Sequence, residues 1–240
     1  MDFFHVHLYE HDSLVDLGKV VRQVTEIIKC DLDVRKPFFY SGLQVLEQAR
    51  ISDIMQPFGR QPAQHQDFEL YGRTVPLYDG FELQRLLAQG LPEQTSDHLH
   101  IIFTDMLTCT FSEDDWRYHA RAVICGTPSI ISTTGIVEAP AKPREFYLQP
   151  FSDMKRRLAG RFIDYGDDRM ADAAAGYVLQ AIFFFLTDGE PFCDSDSCRL
   201  YNAHWQEDLI RTQVHSPALC LKHRSIANKF SRRTADRKRI

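Results

Sequence analysis

This 240-residue chain has few signals for export or membrane insertion. Its first residues, MDFFHVHLYEHD, contain no basic segment followed by an apolar stretch, which a secretory signal peptide requires. The longest apolar run, residues 177–186, is interrupted by Gln180 and is shorter than the roughly 20 residues that span a bilayer. We therefore expect a cytoplasmic protein that does not bind membranes.

Common nucleotide-binding and hydrolase motifs are also missing. The chain has no glycine-rich loop of the kind that cradles phosphates and no GxSxG elbow. It shows no internal repeat and no low-complexity segment. These absences argue against a P-loop enzyme, a serine hydrolase of the α/β type and a repeat protein.

The residues that are present predict a mixed fold with one sizeable core. Hydrophobic residues make up 44% of the chain, and its length favours one main domain over two small ones. Apolar spacing predicts a first helix after a cap at Asp12 or Ser13, and further helices at residues 81–89 and 168–186. Alternating or β-branched runs predict strands at residues 3–9, 31–40, 98–107, 120–125 and 129–137. We therefore predict an α/β (α+β) fold with a mixed central sheet and flanking helices.

Charge is distributed unevenly along the chain. Residues 224–240 contain seven Lys or Arg and one Asp, which leaves 21 basic and 32 acidic residues in the rest. Such a basic segment suits phosphate backbones or an acidic partner, although a solvated extension would have the same composition. The residues with which it could bind nucleic acid are Arg232, Arg233, Arg237, Lys238 and Arg239.

A cluster of cysteines and one histidine is the strongest chemical signal in the sequence. Cys193 and Cys198 are followed by Cys220 and His223, so four potential metal ligands fall within 31 residues. Thiolate and imidazole are the ligands of structural zinc sites. Buried free thiols and a disulfide are alternatives, but a reducing cytosol favours zinc over a disulfide. We predict one structural Zn²⁺ bound by these four residues.

The order of elements around this cluster resembles the archaemetzincins, a branch of the metzincin zinc peptidases. The resemblance covers roughly residues 100–223: strand candidates ending in FTD, AVICG and IIST are followed by a long helix that leads into paired cysteines. The family motif is HExxHxxGxxHC, followed by a second cysteine, a methionine and a distal CxxC. Gly189, Cys193 and Cys198 match it; Leu200 replaces the methionine, and CxxH replaces the final CxxC. The resemblance implies a zincin-like fold with a C-terminal zinc module.

The catalytic half of the family motif is lost in this chain. Aligned on Cys193, the three catalytic zinc ligands fall on Ile182, Leu186 and Phe192, and the general base falls on Phe183. None of these side chains can bind a metal or accept a proton. The resemblance therefore implies a metzincin-like protein whose active site is filled by apolar residues; without it, these residues are ordinary core positions.

Other candidate sites carry weaker signals. His5 and His7 share one face of a strand, as do His98 and His100, so four imidazoles on neighbouring strands could bind a metal. His-x-His pairs are nevertheless common on strand surfaces. His204 and Glu207 lie about one helical turn apart and could be rebuilt catalytic groups or a polar helix face. Cys30, Cys109 and Cys125 lack a nearby activating base in the sequence, which indicates packing.

The sequence thus leaves three hypotheses about function. The first is a catalytically inactive relative of the peptidases that binds an unknown protein or peptide through the old substrate cleft. The second is an active zinc metallopeptidase with a non-standard metal site, and the third is a zinc protein that binds nucleic acid through its basic end. We divide the chain into an α/β domain (1–192, with an irregular insertion at 51–73), a Cys/His subdomain (193–223) and a basic tail (224–240).

Overall fold

The computed structural model describes residues 5–11, 15–37, 43–62, 67–70, 73–148, 158 and 160–237, and it confirms the predicted mixed α/β fold. The strands are β1 His5–His11, β2 Asp31–Arg35, β3 Arg50–Ile51, β4 Phe68–Leu70, β5 Arg73–Val75, β6 Leu77–Asp79, β7 His98–Thr104, β8 Leu107–Ser112, β9 Arg117–Arg121, β10 Val123–Ile124 and β11 Ser129–Ser132. The α-helices are α1 Leu17–Ile27, α2 Leu43–Leu46, α3 Gly80–Ala88, α4 Thr133–Glu138, α5 Met170–Leu186, α6 Gln206–Ile210 and α7 Leu221–Arg237. Short 3-10 turns occur at Glu47–Ala49, Phe58–Arg60 and Arg144–Tyr147, and a π-helical turn occurs at Arg211–His215.

The main sheet has five strands in the order β10-β11-β7-β1-β2. β2, β1, β7 and β11 run parallel, and β10 lies antiparallel at the edge beside β11. A second sheet has the order β3-β6-β8-β9, and β4 pairs with β5. The main sheet is thus mixed, with a short antiparallel strand at one edge.

Side-chain alternation gives the main sheet an apolar face and an opposite face, here called the polar face, on which histidines at the strand starts are followed by Tyr9 and Ile102 in a second core. Val6, Leu8, Leu99, Ile101 and Phe103 are buried in one core together with residues of α1 and α5. On β1 and β7, histidines alternate with these apolar residues. The polar face therefore begins at the amino ends of two adjacent parallel strands.

Helix α5 forms the centre of the core. Thirteen of its residues between Met170 and Phe183 are buried. Apolar side chains point in nearly every direction around the helix axis. Helix α1 packs against it, and Asp172 joins the two helices by accepting hydrogen bonds from Lys19 Nζ (2.9 Å) and Gln23 Nε2 (2.5 Å). Within the described residues, no helix is both long enough and apolar enough to cross a membrane.

Residues after 193 belong to the same core as the residues before it. Leu200, Leu209 and Leu219 contribute to the cluster that contains α1 and α5. Helix α7 adds Ala227 and Phe230, and the backbone N–H of Lys29 donates to Ser231 Oγ at 2.9 Å. The segment that the sequence marked as a basic tail is therefore a helix that packs on the body as far as Thr234, which is buried.

Several predicted element bounds were wrong. The predicted strand at 129–137 ends at Ser132, and α4 begins at Thr133, because the Ser132 hydroxyl accepts a hydrogen bond from Gly135 N (2.8 Å) and caps the helix. A Cβ at Gly135 would lie 2.1 Å from the carbonyl oxygen of Arg121, so this close approach depends on glycine.

The bounds of other predicted elements differ less from those in the structure. The predicted strand at 31–40 ends at Arg35, and residues 38–40 lie outside the described part. The predicted caps Asp12 and Ser13 also lie outside it, and Asp16 caps α1 by accepting from Lys19 N at 2.9 Å. The insertion at 51–73 is not wholly irregular, because it contains β4.

Candidate functional site

Three segments bring the four predicted zinc ligands together. Cys193 follows the turn after α5, and its backbone N–H donates to Leu200 O at 2.9 Å. Cys198 lies in the next turn, and Cys220 immediately precedes α7. The first turn of α7 then supplies His223.

The distances between the ligand atoms suit a tetrahedral zinc ion. All four atoms lie within 4.8 Å of one another. Cys193 Sγ and Cys220 Sγ are 3.9 Å apart, and His223 Nδ1 lies 3.6 Å from Cys198 Sγ and 3.2 Å from Cys220 Sγ. Ideal zinc–ligand lengths place two sulfurs about 3.8 Å apart and a sulfur and a nitrogen about 3.6 Å apart. The cysteines form no disulfide, and their geometry and chemistry fit a bound metal.

Backbone donors and burial set the electrostatics of this cluster. Ser195 N donates to Cys193 Sγ and Cys220 N donates to Cys198 Sγ, both at 3.4 Å, which favours thiolates. Burial raises the pKa of Cys198 to about 11, which favours the thiol, whereas a bound metal ion would favour the thiolate. Burial also lowers the pKa of His223, with a smaller contribution from Lys222, which favours the neutral imidazole that metals bind.

A buried arginine connects the cluster to the core helices. Arg199 follows Cys198 and is 2% exposed. Its Nη2 donates to Gln23 Oε1 at 2.6 Å and to the carbonyl of Asp172 at 3.1 Å, and its Nε donates to Gln213 Oε1 at 3.3 Å. Burial lowers the pKa of Arg199 to about 10, and at neutral pH it stays charged. Arg199 therefore fixes the position of the turn that carries Cys198.

The four positions that the archaemetzincin resemblance aligns with catalytic residues hold apolar side chains, and two of them are fully buried. Ile182 and Phe183 are 0% exposed, and Leu186 packs against the core at the end of α5. Phe192 is 41% exposed. The Phe183 ring meets the His223 ring edge to face, with centroids 5.5 Å apart. Phe183 therefore packs a core ring against the histidine of the cysteine-histidine cluster.

An open cleft lies beside the end of α5. It has a volume of about 470 Å³ and runs along residues 120–125, which include the edge strand β10. Aromatic walls come from Phe81, Phe184 and Phe192. Gly189, with φ +97°, turns the chain from α5 towards the wall that contains Pro191. We call this pocket the apolar cleft.

His204 and Glu207 have different surroundings. His204 lines the apolar cleft and precedes α6, which begins at Gln206. The Glu207 carboxylate accepts a hydrogen bond from Arg161 Nη2 at 2.6 Å. The prediction that the two residues share one helix face is wrong, because His204 lies outside the helix.

The four strand histidines come close together. β1 and β7 pair in register, with His5 opposite His98 and His7 opposite His100. The imidazole centroids of His7 and His98 are 5.0 Å apart, and those of His7 and His100 are 5.2 Å apart. Burial lowers the pKa of His100 to about 4, so this ring is neutral near pH 7.

Sequence reasoning missed the acidic residues beside these histidines, among them Asp33 and Glu93. Asp33 Oδ1 lies 2.5 Å from His7 Nδ1, and Glu93 Oε2 lies 3.4 Å from His98 Nδ1. Asp31 and Asp33 alternate with the same period as His5 and His7, which could have indicated a shared face. Glu93 lies in a loop and gave no such signal.

The basic residues of α7 line a surface groove. Arg224, Lys229, Arg232 and Arg233 border a concavity of about 480 Å³. The side chain of Arg237 and residues Lys238 and Arg239 lie outside the described part. Binding of nucleic acid by this surface stays a prediction.

The remaining cysteines show no activation. Cys109 is buried, and burial raises the pKa values of Cys109 and Cys125 to about 12. Cys30 packs partly buried against the main core. These environments agree with a packing role.

Comparison with known proteins supports one assignment. Residues 2–230 match a family model described as "Probable metallopeptidase family (DUF6775)", and its description does not mention archaemetzincins. No curated protein and no solved structure matches the chain. The family description implies a metal ion, and the cysteine-histidine cluster has ligands that could bind one. Since the match covers nearly the whole chain, the chain belongs to this metallopeptidase family.

Proposed function

We propose that this chain is a catalytically inactive, archaemetzincin-like member of its family that binds an extended peptide in the apolar cleft. The observation that carries the proposal is the burial of Ile182 and Phe183, neither of which has a ligand atom or a proton acceptor. A catalytic zinc site needs protein ligands and an open position for water. Positions 182, 183, 186 and 192 offer only hydrocarbon side chains.

One zinc ion at Cys193, Cys198, Cys220 and His223 has a structural role in this proposal. Four protein ligands complete a tetrahedron and leave no position for water, which is typical of structural sites. The ion joins the turn after α5 to the first turn of α7. It thereby supports the wall of the cleft without taking part in a reaction.

The cleft suits a peptide in extended conformation. β10 is an edge strand of the main sheet, and its backbone pairs with β11 on one side. Because residues 120–125 line the cleft, a peptide can lie along this edge and extend the sheet. Phe81, Phe184 and Phe192 offer an apolar surface to its side chains. We expect ligands with aromatic or large aliphatic residues at alternate positions.

A peptide-library experiment tests the proposal. Zinc-loaded protein is incubated with a diverse library, and mass spectrometry reads both the retained peptides and any cleavage products. We expect retention of apolar extended peptides and no cleavage. Phe192→Ser should weaken the binding of a selected peptide by about 10- to 100-fold, since burying a Phe contributes about 1.5–3 kcal/mol.

Leu148→Ser is the matched control, because Leu148 is another exposed apolar residue and is not among the residues that line the cleft. It should leave the affinity unchanged. Cleavage that a zinc chelator abolishes would instead support an active peptidase. Equal affinities of the wild type and the Phe192→Ser variant would rule out the cleft as the binding site.

A further inference from the structure

A second group of metal-binding side chains lies on the polar face of the main sheet. It is formed by His7 on β1, His98 on β7 and Glu93 in the loop before β7. Parallel pairing of the two strands, with His7 opposite His100 and His5 opposite His98, places the rings side by side. The cysteine-histidine cluster shares none of these residues.

The three ligand atoms form a compact triangle. His7 Nε2 lies 2.6 Å from His98 Nδ1 and 3.6 Å from Glu93 Oε2, and His98 Nδ1 lies 3.4 Å from the same oxygen. Ligands about 2.1 Å from one ion lie about 3.0–3.4 Å from each other in octahedral or tetrahedral sites. A small adjustment would therefore let all three atoms bind a single ion.

Asp33 orients the His7 ring for this role. Its Oδ1 lies 2.5 Å from His7 Nδ1, and its other oxygen accepts a hydrogen bond from Arg35 Nε at 3.0 Å. Because a carboxylate can only accept, His7 Nδ1 carries the proton and Nε2 presents its lone pair to the triangle. Histidine ligands of metals are commonly held in this way by a carboxylate on the other nitrogen. His7 is 2% exposed, so its ring is also fixed by packing.

The loop brings Glu93 to the histidines in an unusual backbone conformation. Glu93 has φ +51°, in the left-handed region that side chains disfavour, and its carbonyl accepts from Thr95 N at 2.7 Å. Arg35 Nη1 donates to Glu93 Oε2 at 2.5 Å. Strain of this kind is retained where surrounding contacts fix it, often at binding sites.

The surroundings favour a cation. Four carboxylates, Asp31, Asp33, Glu93 and Asp97, lie within 4 Å of the imidazole nitrogens, and Arg35 supplies a positive charge beside them. A pocket of about 290 Å³ borders His98. Two imidazoles with one carboxylate suit Zn²⁺, Co²⁺, Ni²⁺ and Fe²⁺ better than Mg²⁺ or Ca²⁺.

We propose that His7, His98 and Glu93 bind a second divalent transition-metal ion, which fastens the loop before β7 to the main sheet. This proposal is independent of the proposed peptide binding. The alternative is an ion-free network of hydrogen bonds and an ion pair among the same residues.

Cobalt titration of the full-length, metal-free protein tests this site. Co²⁺ bound to the cysteine-histidine cluster gives a sulfur-to-cobalt charge-transfer band in the near ultraviolet, whereas Co²⁺ bound to nitrogen and oxygen gives only weak visible bands. We expect two equivalents of Co²⁺ to bind. One should give the charge-transfer band of the cysteine-histidine cluster, and the other should give only the weak visible bands of nitrogen and oxygen ligands. Glu93→Gln and His98→Ala should each weaken the second equivalent at least tenfold and leave the charge-transfer band unchanged, which also shows that the variant is folded.

Glu82→Gln and His119→Ala are the matched controls. Glu82 on α3 forms an ion pair with Arg85. His119 lies on β9, and its Nε2 is 2.8 Å from Asp115 Oδ1. Both variants should bind two equivalents with unchanged affinity. Binding of a single, sulfur-type equivalent by the wild type would overturn the proposal, as would a second equivalent that persists at full affinity in Glu93→Gln and His98→Ala.

Discussion

The end of helix α5 separates two regions with opposite chemistry. On one side, Cys193, Cys198, Cys220 and His223 direct ligand atoms to a common centre. On the other side, Ile182 and Phe183 lie on the helix itself and offer only hydrocarbon. The two regions touch where the Phe183 ring meets the His223 ring. A cluster of potential metal ligands can therefore lie directly beside a region of purely apolar packing.

The largest expected effect on metal binding comes from removing one side chain of the cysteine-histidine cluster, the ligand-rich region. Cys198→Ser removes a buried sulfur ligand and should lower zinc affinity by about 100-fold or more, because a structural site contributes roughly 10–16 kcal/mol of apparent binding energy. Elemental analysis after dialysis and thermal unfolding with added zinc measure the loss. Cys30→Ser, at a cysteine outside the cluster, is the control and should keep its zinc. Full zinc occupancy in Cys198→Ser would remove this residue from the ligand set.

A second change makes the apolar region resemble the ligand-rich one. Ile182→His, Phe183→Glu and Leu186→His combined should destabilise the protein by about 3–5 kcal/mol, because polar groups would replace buried hydrocarbon. Urea unfolding of the zinc-loaded protein measures this change. A surface control, Leu148→His, should stay within about 0.5 kcal/mol of the wild type. A stable triple variant that binds an additional zinc and cleaves peptides would show that the helix still holds catalytic geometry.

The smallest effect concerns the reactivity of individual thiols. In zinc-loaded protein at pH 8, iodoacetamide should modify Cys193 and Cys220 slowly, and a chelator should accelerate both reactions about tenfold or more. Cys109 and Cys125 should stay slow in both conditions, because burial raises their pKa values to about 12 and leaves little thiolate at pH 8. Peptide mapping by mass spectrometry reads each site separately. Equal acceleration at all four cysteines would indicate general unfolding instead of release of the ion.

The spacing of apolar residues and of cysteines predicted the features that depend on residues close together in the sequence. Helices α1, α3 and α5 follow from apolar periodicity, and the cysteine spacing drew attention to the four residues that the structure brings together. The change from strand to helix at Ser132 was missed because the run SIISTTGIV is apolar and β-branched throughout. The helix there depends on a hydroxyl cap and on the close approach of Gly135 to Arg121.

The histidine group shows the limit of sequence reasoning more clearly. The pattern indicated His5, His7, His98 and His100, but their proximity depends on strand register over about 90 residues of separation. Glu93 lies in a loop and itself has a positive φ, and no sequence periodicity predicts such a conformation. Residues on regular elements could therefore be predicted, and the carboxylate that completes the group could not.

The bond between Lys29 N and Ser231 Oγ joins residues 202 positions apart and has a consequence for synthesis on the ribosome. The ribosome makes helix α1 well before Phe230, which belongs to the core that α1 shares with α7. Part of the apolar surface of α1 therefore stays uncovered until Phe230 has left the exit tunnel. A chain that is released before Phe230 is made should therefore expose apolar surface of α1 and tend to aggregate.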